Sequence, residues 1–311
     1  MRYRKLGRTP FLVSEIGFGG WAIGGNEHGN SLGKTDDDAS RAALERALDL
    51  GVNFIDTADC YGHGHSESLI GETLGRRRRE VFLATKVGSN FYRQPVERCY
   101  KPDYLKEALA KSLERLRTDR VDLYQLHDPP VEVIADKAVQ KTMLSFKEEG
   151  MVRAIGVSIH TLPEALAALE AGCWDTVQVA YSVAYQYVPA RFLPAAREKG
   201  IGVIAREPLA QGFLTGKYKP DHPFEEGDVR RDWPKEHKEY LAALAQKLTE
   251  YFVERRKTGK TAGEVALQFP LAHEAVSTVV CSMKTVEQVE RNLRTLDLCP
   301  LEPKELRWLR E

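Results

Sequence analysis

Eight short apolar runs, each separated from the next by a longer amphipathic or polar stretch, constrain this chain more than any other feature. They fall at residues 16–21, 52–56, 81–86, 121–126, 154–157, 176–179, 202–205 and 277–281. Most are apolar or β-branched throughout, as strands buried on both faces of a parallel sheet must be. The segments between them carry helical spacing. Asp36-Asp37-Asp38 opens one whose apolar positions include Ala43, Leu44, Ala47 and Leu48, with Gly51 after it. Residues 103–116 set Leu105, Leu109, Leu113 and Leu116 three or four apart, one apolar stripe. Thr161-Leu162-Pro163-Glu164 is a capping box at the head of another helix. Residues 189–199, 239–257 and 286–296 are read as the later helices. Parallel strands require crossovers of this kind, wound right-handed. Eight strands so connected predict an α/β fold closed as a (β/α)8 TIM barrel. An open sheet that binds a dinucleotide would need a glycine-rich turn running from a strand into a helix. The stretch from Phe18-Gly19-Gly20-Trp21 to Gly24-Gly25 is glycine-rich but runs into polar loop instead.

The 311 residues suit a barrel of this type, which commonly takes about 250 or more, so one barrel domain over residues 1–311 is expected. Lysine plus arginine equals aspartate plus glutamate at 45 each, so no net field draws nucleic acid or an anionic membrane. The one dense basic block, Arg76 through Arg79, lies between a helical stretch and a strand and reads as a solvated loop. Five widely spaced cysteines without a CxxC pair fit reduced thiols. The charged N-terminus has no apolar signal core, and no run approaches the roughly 18 apolar residues of a membrane span, so a cytoplasmic protein is expected. Cys60, His63 and His65 cluster but lack zinc spacing and a fourth ligand, so no metal is expected.

A barrel core should be apolar, so polar residues at strand ends need a reason. Asp56, Lys86 and His127 end the second, third and fourth runs; Ser158 and Arg206 follow the fifth and seventh; Gln178 lies within the sixth. In a barrel these carboxyl ends converge on one face, although the sequence scatters them. Tyr61 joins them from Asp56-Thr57-Ala58-Asp59-Cys60-Tyr61-Gly62. An acid, a phenol, an amine and an imidazole on one rim form a proton-transfer set. A phenol ordinarily titrates near about 10. A buried ammonium at Lys86 is expected to lower that value, with Asp56 holding the lysine charged. A neutral His127 would orient a carbonyl whose oxygen receives the Tyr61 proton. Cys60 is read as a small residue lining the barrel mouth. Trp21, Phe91, Tyr92 and Trp233 are the aromatic candidates for a substrate pocket. Two long irregular stretches, 88–102 and 208–235, follow strands, where barrel enzymes place functional loops.

At these residues the chain resembles the aldo-keto reductase superfamily, in the style of its bacterial and potassium-channel β-subunit branches. Asp56, Tyr61, Lys86 and His127 fall on that family's catalytic tetrad, within Asn53-Phe54-Ile55-Asp56-Thr57-Ala58 then Tyr61-Gly62 with Ser66-Glu67 after it, Leu83-Ala84-Thr85-Lys86 and Asp122-Leu123-Tyr124-Gln125-Leu126-His127. The resemblance implies an N-terminal hairpin, at residues 3–13, closing the bottom of the barrel. It also implies a nicotinamide cofactor held without a Rossmann domain. Trp21 and Asp56 would lie beside the nicotinamide, Ser158 and Gln178 would bind its carboxamide, and Tyr181 would stack on its ring. Arg206, Pro208, Leu209, Gln211, Gly212 and Lys217 would cradle the pyrophosphate. Ser282, Lys284, Gln288 and Asn292 would hold the adenosine phosphate at the last helix. Lys284 suits a 2′-phosphate, so NADPH (NADP+) is the expected cofactor, with NAD(H) the alternative. Ile159, Cys281-Ser282 and Arg206-Glu207 depart from the family's usual residues. The short tail after Leu298 suggests that the long C-terminal substrate loop of some members is absent. The expected activity is NADPH-dependent reduction of aldehydes, ketones or sugar-like carbonyls to alcohols, with a small-molecule substrate and Tyr61 as general acid and base. The alternatives are a sugar-oxidising dehydrogenase with tightly held NAD(P), or a β-subunit-like regulatory protein with little turnover.

Overall fold

Successive side chains of a strand point to opposite faces, and that alternation organises this molecule. The computed structural model describes residues 1–28 and 31–311. An antiparallel hairpin of β1 (Tyr3–Lys5) and β2 (Leu12–Ser14) comes first. The eight expected runs then form strands β3 (Ile16–Gly19), β4 (Phe54–Asp56), β5 (Phe82–Val87), β8 (Val121–His127), β9 (Val152–Ile159), β10 (Thr176–Ala180), β11 (Gly202–Arg206) and β12 (Val276–Ser282). They pair in that order, all parallel, and β12 returns to β3 to close the barrel. A small ribbon of β6 (Ser89–Asn90) and β7 (Glu97–Arg98) follows β5. It lies in the expected irregular stretch, since two-residue strands leave no periodic signal.

Helices fill the crossovers: α1 (Asp37–Asp49), α2 (His65–Leu74), α3 (Pro102–Arg115), α4 (Val131–Ala135), α5 (Lys137–Glu148), α6 (Leu162–Ala171), α7 (Tyr187–Glu198), α8 (Lys235–Leu248) and α9 (Ala262–Leu271). After the last strand come α10 (Val286–Arg294) and α11 (Pro303–Arg310). The caps read from sequence are present. The Asp36 carboxylate accepts from the Ala39 amide at 2.8 Å, and Thr161 with Glu164 closes a capping box. The helix expected over 239–257 begins earlier and ends as an α-helix at Leu248. Residues Thr249–Arg255 continue as a wider π-helical turn. There the Thr249 hydroxyl donates to the Ala245 carbonyl, a side-chain intrusion of the kind that distorts helices.

One phase of each strand faces the helices. Ile55, Leu83, Tyr124, Ile155, Val177, Val203 and Val279 belong to the large core between barrel and helices. The other phase faces the barrel axis. Phe54, Ala84, Leu123, Ala154, Ile204 and Val280 form a separate apolar cluster with Leu6, Phe11 and Val13 of the hairpin segment. The expected hairpin is thus a plug. Arg4 fastens it, donating to the Val276 carbonyl at 3.0 Å and the Leu271 carbonyl at 2.8 Å while pairing with Glu15 at 2.7 Å. The Arg76 to Arg79 block is less solvated than expected: Arg77 pairs with Asp49 at 2.6 Å and Arg78 with the buried Asp122 at 3.0 Å. Among the described residues no helix is long and apolar enough to cross a membrane.

Candidate active site

Two residues beyond the plug-facing layer, the same inward faces become polar. Phe54 gives way to Asp56, Ala84 to Lys86, Leu123 to Gln125 and then His127, and Ile204 to Arg206. Strand register aligns them: Lys86 lies opposite Gln125, His127 opposite Ser158, and Ser158 opposite Gln178. Tyr61 enters from the turn between β4 and α2. Its amide donates to the Ala58 carbonyl at 3.2 Å, and its carbonyl accepts from the Ser66 amide at 3.2 Å. The next residue, Gly62, has φ of 60°, and a Cβ there would strike the Gly24 carbonyl. Only glycine lets the turn at residues 21–24 pack this closely against the tyrosine.

The Lys86 ammonium is the hub. It donates to Asp56 Oδ2 at 2.7 Å, to the Thr57 carbonyl at 2.7 Å and to the Tyr61 hydroxyl at 3.2 Å. Gln178 and Gln125 donate to the other Asp56 oxygen at 2.9 and 3.3 Å. Burial works against the lysine charge, but Asp56 and Tyr61 overcome it and hold Lys86 above the usual lysine range. The Asp56–Lys86 support expected from sequence is therefore present. The expected lowering of the phenol is not. Burial pushes Tyr61 up to about 12, although Lys86 pulls in the opposite direction. Desolvation of a buried phenolate outweighs one ammonium that Asp56 already neutralises. His127 is neutral, as expected: burial lowers its pKa to about 3.

A cavity of about 1190 Å3 opens over these residues. Its walls include Tyr61, Asp56 and His127 together with Trp21, Gln178, Arg206, Pro208, Leu209, Gln211, Gly212, Lys217, Ser282, Lys284, Gln288 and Asn292, so most of the expected cofactor positions share one wall. Phe91 and Trp233 line it as well. Three expectations meet a different arrangement. Tyr92 is not on this wall; it packs between Lys111, whose ammonium lies 3.6 Å from the ring centre, and Arg115. Tyr181 is also absent from the wall, buried with its ring edge-on to Phe269 of α9 at 5.4 Å. Its position, one residue past β10, directs it to the helix layer. Lys284 lines the cavity, but its ammonium donates to the Leu32, Gly33 and Lys34 carbonyls at 2.7, 3.3 and 2.9 Å. Ser158 is not on the wall, although its strand partners His127 and Gln178 are, and its hydroxyl is buried and without a partner among the described residues.

Sequence reading missed a charged network at the rim. Asp128 accepts from Arg98 at 2.9 Å and meets His160 Nε2 at 2.8 Å, while Arg206 donates to His160 Nδ1 at 2.8 Å and pairs with Glu207. Burial opposes ionisation of Asp128, yet the His127 and His160 imidazoles and Arg206 hold its carboxyl below the ordinary range. Arg98 belongs to β7, which no pattern announced. Gln125 was findable: it stands two residues before His127 on one strand and so shares its face.

A model of the Aldo/keto reductase family matches residues 15–311. The uncharacterized oxidoreductase YqkF of Bacillus subtilis is 30% identical over 99% of this chain and 95% of its own length. The NADP(+) aldo-keto reductase yakc of Schizosaccharomyces pombe is 33% identical over 94% of this chain and 86% of its own. Among solved structures, the holo form of aldo-keto reductase AKR11C1 from Bacillus halodurans superposes with a TM-score of 0.81 at 30% identity, covering 100% of this chain and 95% of that one.

Proposed function

The chain belongs to the aldo/keto reductase family of NAD(P)H-dependent oxidoreductases, and from that premise we propose that it reduces aldehydes and ketones, sugar-like carbonyls included, to alcohols with NADPH. The observation that carries this reading is the Tyr61 hydroxyl held 3.2 Å from a buried, Asp56-paired Lys86 at the floor of the cavity. Lysine can only donate, so Tyr61 oxygen accepts from it. The phenol's own hydrogen is then free to point into the cavity toward a substrate oxygen.

Several features suit a nicotinamide cofactor. The Ser158 hydroxyl, Gln211 Oε1 and Arg206 Nε are buried without a protein partner among the described residues. The head of α10 presents Gln288 to the same cavity, a helix N-terminus of the sort that favours phosphate. With Tyr181 off this wall, the flat guanidinium of Arg206 is a planar group that lines the cavity beside Gln178. When bound, the nicotinamide supplies a hydride in reduction and accepts one in oxidation. The Tyr61 proton passes to the oxygen of the reduced carbonyl, and Lys86 stabilises the phenolate left behind. An alkoxide is a stronger base than a phenolate of pKa about 12, so this transfer runs downhill. Oxidation of an alcohol needs Tyr61 as phenolate at the outset, which burial disfavours. At neutral pH the resting enzyme thus already holds the proton that reduction uses. Aromatic Trp21, Phe91 and Trp233 beside the Arg98–Asp128–His160 network offer apolar and hydrogen-bonding surfaces together, as hydroxylated carbonyls require.

NADPH absorbance followed across aldehydes, ketones and aldoses, in both directions, tests the reading. Carbonyl-dependent NADPH consumption is expected. Sugar-dependent NADP+ reduction with no carbonyl reduction at neutral pH would overturn it.

A further inference from the structure

The Cys60 thiol stands beside Tyr61 with no part in the proton transfer described. Its sulfur lies 3.4 Å from Nδ1 of His127, and both side chains line the cavity. Burial, with Asp59 next to it, pushes the thiol pKa up, so the sulfur keeps its hydrogen. The imidazole is neutral and therefore has one N–H and one lone pair. Two arrangements satisfy the contact: Nδ1–H toward sulfur, or S–H toward the Nδ1 lone pair. Thiol sulfur is a weak acceptor and the S–H a weak donor, so this contact alone admits either. The far side of the ring selects the second. Nε2 lies 4.0 Å from Asp128 Oδ2, too far for a direct hydrogen bond but close enough for the carboxylate to favour an N–H there. The backbone holds the ring in place, since the His127 carbonyl accepts from Tyr100 at 2.7 Å and Arg98 at 3.1 Å.

We infer that Cys60 is a positioning residue: its S–H donates to Nδ1 of His127 and fixes the imidazole as the Nε2–H tautomer, donor toward the substrate oxygen. The inference rests on the reading that His127 orients a carbonyl. A histidine in the other tautomer would present a lone pair to that oxygen and repel it. Cys60 thereby sets the hydrogen-bond polarity of the oxygen site through His127.

Nitrogen-15 NMR of the full-length, histidine-labelled protein, with and without NADPH, reads the tautomer directly; His127→Gln assigns the resonance among the eight histidines. The wild type and Cys60→Ser are expected to show a protonated Nε2 and a hydrogen-bonded, unprotonated Nδ1. Cys60→Ala should move the Nδ1 signal toward an unbonded or mixed value. The same variant should raise KM for the carbonyl by about three- to tenfold, the worth of one such hydrogen bond, with NADPH affinity unchanged and Cys60→Ser close to wild type. A proton on Nδ1 in the wild type overturns the inference, as does a Cys60→Ala enzyme with wild-type KM. Full activity in Tyr61→Phe would instead overturn the catalytic reading, and the NMR result would stand apart from it.

Discussion

The two ends of the barrel interior use the same strands, the same faces and the same alternation, and differ only in what occupies successive inward positions. At the plugged end Phe54, Ala84, Leu123 and Ile204 meet Leu6, Phe11 and Val13, all fully buried. Two residues on, Asp56, Lys86, Gln125 and Arg206 stand where an apolar layer could continue. Burying an ammonium and a carboxylate there costs several kcal/mol even when they pair, about what a hydrophobic pair would spare. The apolar end supplies stability; the polar end consumes some of it and gains chemistry.

The sharpest way to break that contrast is Tyr61→Phe. It deletes one oxygen and little volume, so reduction should fall by about 10²- to 10⁴-fold, with NADPH binding and melting temperature nearly unchanged. Steady-state turnover equal to wild type would sink the assignment. The pH profile gives the same comparison a sign. The Tyr61 pKa is raised to about 12, so its proton is present throughout the neutral range. Reduction should therefore stay level past the ordinary phenol value of about 10 and decline only near about 12. Oxidation, which needs the phenolate, should rise with pH over the same interval. A reduction rate that halves well below about pH 10 would mean that Lys86 outweighs burial after all.

At the other end, Phe11→Ala should do the reverse. Its ring packs 4.9 Å from Phe82 with the Arg153 guanidinium 4.6 Å from its centre, and no part of it is exposed. Removing it leaves a cavity in the plug and should cost about 3–5 kcal/mol of stability, read by urea denaturation. Turnover per folded molecule should not change. A loss of turnover without a loss of stability would mean that the two layers are coupled rather than independent.

The contrast also explains what could be read from the sequence. The eight runs were legible because barrel strands are buried on both faces, so each announces itself as apolar regardless of neighbours. Asp56, Lys86 and His127 were legible because each ends such a run with a group the core cannot hold without a partner. The hairpin came through family resemblance, as did the expectation that residues now found lining the cavity hold a cofactor. What failed was what depends on direction in space. Tyr181 and Tyr92 are aromatic residues following strands, but a single backbone turn decides whether such a ring faces the cavity or the helices. The tyrosine's pKa failed for another reason: sequence names the neighbouring charge, whereas burial is a property of the assembled fold. The Arg98–Asp128–His160–Arg206 network joins residues 30, 32 and 46 positions apart, in different crossovers, so no local pattern could announce it.

The smallest expected effect concerns the outer wall of the polar end, where Lys284 and Arg291 both line the cavity. The sequence expectation gives the 2′-phosphate to Lys284. Its ammonium is instead satisfied by the carbonyls of residues 32–34, and burial lowers its pKa, so it ties that loop across the wall. Arg291, on the exposed side of α10, makes no ion pair among the described residues and presents a guanidinium to the same space. Releasing a loop should weaken both cofactors alike, whereas removing a phosphate partner should weaken only the one that carries the phosphate. Arg291→Ala is therefore expected to weaken NADPH by about three- to tenfold, the range of a charge-assisted hydrogen bond at a partly exposed site, and NADH much less. Lys284→Ala should weaken the two by similar factors. Fluorescence titration of each variant with each cofactor separates the cases: an NADPH-selective loss in Lys284→Ala would return the phosphate to the lysine, and an equal loss in Arg291→Ala would remove the arginine from it.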